Sequence, residues 1–225
     1  MSEAHNLDDA RPRPQPPRAA ELAAHLAARM CHDFISPASA IVSGLDLLDD
    51  PTAQDMREEA MSLIASSARK LADILSFTRV AFGASATAET FDPRVLEDLT
   101  RGIFGHMRAE LDWQVTPSAV SKPVARALLN MAQLGGAALP TGGMARVRAV
   151  EDAGSITIAI EAEGPKARLR PEALEGLRGE GLSQGLHGQW VQAYYLYLIV
   201  TDAGGRVYAD AIDGKVTFAA TIPNR

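Results

Sequence analysis

His32 opens the run His32-Asp33-Phe34-Ile35-Ser36-Pro37, which sets a nucleophilic ring, an acidic neighbour and a helix-disrupting residue side by side. Neutral imidazole is a good nucleophile near pH 7 and can carry a proton or a covalent group. Whether that chemistry is available depends on the direction in which the ring points.

The surrounding spacing gives the direction. Apolar or small residues recur at Leu22, Leu26, Met30, Phe34, Pro37, Ile41, Leu45 and Leu48, in steps of three and four that mark one face of a helix. At ~100° per residue, His32 lies ~200° from Met30 and points away from that stripe. It shares the outer face with His25, Arg29, Ser36, Ser39, Ser43, Asp46 and Asp50, all polar. The phase therefore makes His32 a ring in water rather than a core histidine. Cys31, Ile35 and Val42 fall on the flank between the two faces, and two uses are open to them: the core of a dimer, or an apolar patch that a partner covers around His32. Pro37 lacks an N–H and removes one helical hydrogen bond just below the ring.

The elements that carry these residues follow from the same reading. Residues 1–18 are polar and include Arg11-Pro12-Arg13-Pro14-Gln15-Pro16-Pro17-Arg18, a disordered or extended tail by composition. A long helix runs from about Ala19 to Leu48 and stops before Pro51, because the residue preceding a proline is pushed out of the helical region. Thr52-Ala53-Gln54-Asp55 resembles a capping box for a second helix, whose inner face is Met56, Ala60, Leu63, Ser67, Leu71, Ile74, Thr78 and Ala81. Two long helices joined by so short a loop must lie antiparallel. The hairpin, residues 19–82, cannot enclose its own apolar stripe, and pairing with a second copy into a four-helix bundle is the natural way to bury it.

After a small polar linker, Gly83 to Glu89, the pattern changes to mixed helix and strand over residues 90–225. Phe91 to Met107 and Pro123 to Leu139 read as helices. Arg146 to Val150 and Ile156 to Ile160 alternate as strands about the turn Asp152-Ala153-Gly154. A helix from about Gln189 to Asp202 ends at Gly204-Gly205, and two last strands, Arg206 to Asp210 and Val216 to Ile222, flank Asp213-Gly214. The fold class is α+β: a long antiparallel hairpin, then an α/β sandwich with an antiparallel or mixed sheet and helices on one face.

The segment from His32 to Pro37 resembles the H-box of two-component signalling proteins, where the imidazole carries a phosphoryl group. The second half is similar to the ATP-binding domain of sensor histidine kinases, most clearly where Leu196, Ile199 and Val200 precede Ala203-Gly204-Gly205-Arg206-Val207 and the chain closes on Thr217 to Pro223. The nucleotide-handling boxes of those kinases do not match. Leu134 stands at the magnesium-binding asparagine, Ala162 at the adenine-reading aspartate and Lys166 at a following glycine. The phosphate loop is reduced to Gly179 to Gly188, interrupted by Leu182, Gln184 and His187, with Gln189-Trp190 where the helix should open on small residues. Three separate losses imply that the second half does not bind ATP.

A helical hairpin with an acceptor histidine beside such a domain resembles dimeric histidine phosphotransferases of the ChpT type. That resemblance implies a phosphorelay: a phosphoryl group passes from the aspartate of a hybrid kinase's receiver domain to His32, then to the aspartate of a downstream response regulator. It implies that Asp33 orients the ring or assists proton transfer, and that Arg29, Ile35, Ser36 and Ser39 rim the receiver contact. Pro37 keeps a structural role. The chain would need no cofactor or metal of its own, each receiver bringing Mg²⁺ and a catalytic lysine. Two other readings stay open: an active histidine kinase with divergent boxes, and a scaffold that binds receivers without being modified.

Bulk properties fit this picture. A net charge of −6 and the lack of a Lys/Arg stripe argue against nucleic acid as partner. Cys31 is the only cysteine, which excludes an internal disulfide and suits a reducing compartment. The first residues carry no basic and apolar leader, and no apolar run approaches ~18 residues, so a cytoplasmic protein off the membrane is expected. His25 reads as solvent-exposed, and His106 and His187 carry no signal.

Overall fold

The computed structural model describes residues 17–83, 88–181 and 188–224. The expectations for the proline-rich tail, for the middle of the linker and for most of the glycine-interrupted loop, His187 included, fall outside these residues.

α1 (Ala19–Asp49) is a single helix of 31 residues with Pro37 inside it, and α2 (Arg57–Ala81) returns alongside it. The turn between them is not the expected capping box. Asp50 Oδ1 instead accepts both the Thr52 backbone N–H and the Thr52 hydroxyl, each at 2.7 Å, so Thr52 is not available to cap the next helix. The chain then passes through a short 3₁₀ turn, Gln54–Met56, before α2 begins. The two helices approach closely at Gly44. A Cβ built there would sit 2.6 Å from Ile64 Cγ1 and 3.2 Å from the Ala60 carbonyl oxygen.

β1 (Thr90–Phe91) leads into α3 (Pro93–Phe104), whose first turn is capped by Asp92 accepting the Arg94 N–H. β2 (Ala109–Val115) and β3 (Val120–Ser121) follow, then α4 (Lys122–Ala137), β4 (Gly143–Asp152), β5 (Ser155–Glu163), α5 (Pro171–Leu177), α6 (Gly188–Asp202), β6 (Arg206–Ile212) and β7 (Lys215–Pro223). Five strands form one sheet in the order β2-β4-β5-β7-β6, with β2 parallel to β4 and every other pairing antiparallel. β1, β2, β3 and α5 were not expected from the sequence, and Phe91, expected to open a helix, lies in β1 instead. The expected turns are present: Ala153 and Gly154 both have positive φ at the β4–β5 hairpin, and Gly204, at φ 77°, ends α6.

The sheet is mixed and one-sided. Ile156, Ile158, Ile160 and Ala162 on β5 and Val216, Phe218, Ala220 and Ile222 on β7 are buried under the helices. The opposite face is polar, with Glu161 receiving Lys215 at 2.8 Å and Arg146 at 3.3 Å. α4 lies in the middle of the core and is apolar on nearly every side, with Leu128, Leu129 and Met131 fully buried. Gly135 and Gly136 let it sit close to its neighbours, since a Cβ at either would meet Ile160 Cγ2 or Met107 Sδ at 2.6 Å.

The hairpin and the α/β layer are joined in three places. Phe77, Val80 and Ala81 at the end of α2 belong to the same buried cluster as α4 and the sheet. His106, just beyond α3, meets Asp73 on α2 with Nε2 2.8 Å from Oδ2, so a histidine that carried no signal in the sequence has a defined partner. At the other end, Leu22 and Leu26 of α1 pack against Trp190, Val191 and Tyr194 of α6. Trp190 also corrects the expectation for His25, which is half-buried with its ring edge-on to the indole, centroids 6.2 Å apart.

Candidate functional site

The outward phase of His32 is borne out: 86% of its side chain is exposed, near the middle of α1. Its environment is built from the same helix. Asp33 Oδ1 lies 3.4 Å from His32 Nδ1, and Asp33 Oδ2 accepts a hydrogen bond from Arg29 Nε at 3.0 Å. The spacing explains the pair, since residues four apart on a helix stack on one another. Exposure rises along this chain of groups, from 17% at Arg29 to 31% at Asp33 and 86% at His32. An imidazole whose Nδ1 faces a carboxylate presents its other nitrogen, Nε2, to solvent.

Ile35, Ser36 and Ser39 are exposed within two turns of His32 along α1. Arg29 lies further in than that expectation had it, with its guanidinium on Asp33. Pro37 faces the other way and is buried, and the helical hydrogen bond that it removes is the one to the carbonyl of Asp33.

The apolar arc of α1 is wider than α2 can cover. Leu45 of α1, Met56 of the 3₁₀ turn and Leu63 of α2, all expected on inner faces, are exposed, and so are Ile35 and Val42. The reason is the helical angle: α2 sits over Pro37, Ile41 and Gly44, and the flank bearing Cys31, Ile35, Ala38, Val42 and Leu45 turns away from it. α2 carries a matching series, Met61, Ala65, Ala68, Ala72 and Leu75, with Met61 and Leu75 exposed. The spacing of four, three, four and three residues in both helices was the signal that a second, open seam runs along the hairpin.

The positions that depart from the kinase boxes have structural occupations. Leu134 and Ala162 are core residues, and Lys166 lies in the exposed turn after β5. Asn130, the one asparagine on α4, is fully buried and bonded to the protein itself. Its Nδ2 donates to the carbonyls of Ala81 at 3.0 Å and Arg126 at 2.9 Å, and its Oδ1 accepts from Gln192 Nε2 at 3.2 Å. Gln192 Nε2 also reaches Gln133 Oε1 at 2.6 Å. Among the described residues no group of three or more His, Cys, Asp or Glu side chains is placed to hold a metal ion. No described helix is long and apolar enough to cross a membrane.

The sequence did not reveal the part played by Trp190 or the close approach at Gly44. Both depend on residues far away in the chain or on the partner helix, and neither has a local signature.

Comparison with known proteins places this geometry. A family model described as the histidine phosphotransferase C-terminal domain matches residues 93–215. The chain is 34% identical over 203 residues to protein phosphotransferase ChpT of Brucella abortus (strain 2308), covering 90% of this chain and 96% of that protein. A solved structure described as a bacterial phosphotransferase is 32% identical and superimposes with a TM-score of 0.82 over 92% of this chain and 99% of that one. A mycobacterial sensor histidine kinase, MprB, is similar at 22% identity, with a TM-score of 0.49 over 61% of this chain and 97% of that one, a level that says nothing about activity. With its helical hairpin followed by a mixed-sheet domain, the chain belongs to the ChpT-like family of histidine phosphotransferases and is a protein phosphotransferase of a phosphorelay.

Proposed function

We propose that His32 is the phosphoryl acceptor, and that it takes the group from the aspartyl phosphate of a hybrid kinase's receiver domain and hands it to the aspartate of a response regulator. The observation that carries this reading is the exposed ring with Nδ1 beside Asp33 and Nε2 in solvent. In the forward step the Nε2 lone pair forms a P–N bond while the P–O bond to the receiver's aspartate breaks, and that aspartate leaves as a carboxylate. Nδ1 keeps its proton, shared with Asp33. The reverse step, on a second receiver, returns the ring to its neutral form. This chain contributes an oriented, accessible ring, so positioning carries most of the effect. Mg²⁺ and a lysine to neutralise the phosphoryl oxygens belong to the receiver.

On this reading residues 19–82 are the phosphotransfer hairpin and residues 90–225 its support, without ATP binding. Ile35, Ser36 and Ser39 make the receiver contact. Two copies join through Ala38, Val42 and Leu45 of α1 and the matching series of α2 into a four-helix bundle, leaving Ile35 at the rim beside each exposed His32. The reaction belongs in the cytoplasm, where receivers meet their regulators.

One experiment tests the assignment. Purified protein is mixed separately with a phosphorylated receiver and with Mg²⁺-ATP, as wild type and as His32→Ala, and acid-labile phosphate is followed. Label from the receiver that disappears in His32→Ala supports the reading. Label taken directly from ATP makes the protein a kinase, and unchanged relay in His32→Ala makes it a scaffold.

A further inference from the structure

We propose that Arg29 is a positioning residue for transfer through His32, acting by fixing Asp33 and through it the tautomer of the ring; the inference rests on His32 being the acceptor. Neutral imidazole can hold its proton on either nitrogen, and only the form protonated on Nδ1 leaves the Nε2 lone pair free to attack. Asp33 selects that form if its carboxylate stays beside Nδ1. On the surface of a helix an aspartate has several rotamers and abundant water to bond instead, and the 3.4 Å contact with His32 is too long to hold it in place alone. Arg29 supplies the anchor. It lies one turn earlier, only 17% of its side chain is exposed, and its Nε engages Asp33 Oδ2 at 3.0 Å. The other oxygen, Oδ1, is thereby directed at the ring.

Charge adds a second effect. A bare carboxylate beside the acceptor would repel an incoming phosphoryl dianion, and the guanidinium offsets that repulsion without touching the reacting atoms. When Nε2 attacks phosphorus and the receiver carboxylate departs with the bonding pair, the ring becomes cationic with its proton on Nδ1. Asp33, held by Arg29, faces that charge. When the group leaves for a second receiver, the pair returns to Nε2 and the same tautomer is restored.

The test uses the full chain, labelled with ¹⁵N, as wild type, Arg29→Ala, Arg29→Lys, Asp33→Asn and the double variant Arg29→Ala/Asp33→Asn. The His32 tautomer is read from long-range ¹H–¹⁵N correlations. Transfer is measured in single turnovers from an upstream receiver domain charged with acetyl phosphate, and thermal melts check folding. Arg29→Ala is expected to raise the fraction of His32 protonated on Nε2 and to slow the maximal rate about fivefold, the effect of one weak hydrogen bond. The receiver concentration giving half the maximal rate stays unchanged. Arg29→Lys keeps the charge but not the fork and recovers part of the rate, and the double variant is no slower than Asp33→Asn alone. An unchanged tautomer in Arg29→Ala overturns the proposal, whatever the rate. A weaker half-saturation with the maximal rate intact overturns it as well, and makes Arg29 a receiver contact. If the wild type takes no label on His32, the acceptor assignment itself fails and the positioning role with it.

Discussion

At the scale of single residues, exposure separates function from stability. His32 contributes almost nothing to packing, so His32→Gln should leave the unfolding free energy within about 0.5 kcal/mol of wild type by denaturant titration while abolishing acid-labile labelling. A loss of both together would mean that the ring is structural. The direction of His32 was readable because Leu22 to Leu48 mark the opposite face over eight periodic positions. His25 was misread by the same method. Its phase is also outward, but Trp190, which lies 165 positions further along the chain, covers it. The periodicity of one helix tells where its own stripe lies, not which distant residue comes to rest on the remainder.

At the scale of elements, the hairpin depends on a close crossing. Gly44→Val should cost about 1–3 kcal/mol, because the new side chain would overlap Ile64 and the Ala60 carbonyl in a contact with no room to relax. Chemical denaturation measures this, and an unchanged midpoint would mean that the helices part without cost. The sheet gives a pH-dependent prediction. Hydrogen bonding to Lys215, aided by Arg146, holds the Glu161 carboxyl below the usual range for glutamate. A carboxyl with a depressed value in the folded state stabilises the fold above its unfolded value of ~4.3, and that contribution is lost as pH falls through the folded value. Glu161→Gln should therefore lower the unfolding free energy at pH 7, by an amount on the order of 1 kcal/mol or less, with the deficit closing below about pH 4. A deficit that grows in acid would contradict the assignment. The strong elements here were readable: α1, α2, α4, α6 and the two hairpins with Asp152-Ala153-Gly154 and Asp213-Gly214 turns. β2 was missed although its sequence, Ala109 to Val115, alternates apolar and polar at every position, the pattern of a strand; its pairing, parallel to β4 across the α4 crossover, is what only the tertiary structure shows. α5, at seven residues, is too short for a periodic signal.

At the scale of the whole molecule, the open seam and the second domain yield two further tests. Val42→Glu puts a charge in the exposed apolar flank of α1, and it is expected to shift the protein from dimer to monomer in light scattering while leaving far-UV circular dichroism unchanged. A wild type that is monomeric at micromolar concentration would remove the four-helix bundle from the proposal. Mg²⁺-ATP is expected to leave the melting temperature unchanged, since Leu134 and Ala162 are core residues and Asn130 is bonded to Ala81 and Gln192. A clear upward shift would contradict this.

The sequence alone determined the hairpin, the outward histidine and the departures at Leu134, Ala162 and Lys166, because each is a matter of residue type and local spacing along one chain segment. Only the tertiary structure decided how the hairpin is held: Phe77, Val80 and Ala81 entering the core of the second half, Trp190 closing over His25, and Gly44 bringing two helices together. Those contacts join residues tens to more than a hundred positions apart. Burial between distant surfaces leaves no periodicity in either partner, so the sequence could show that an apolar arc existed on α1 but not which half of it the chain itself would cover.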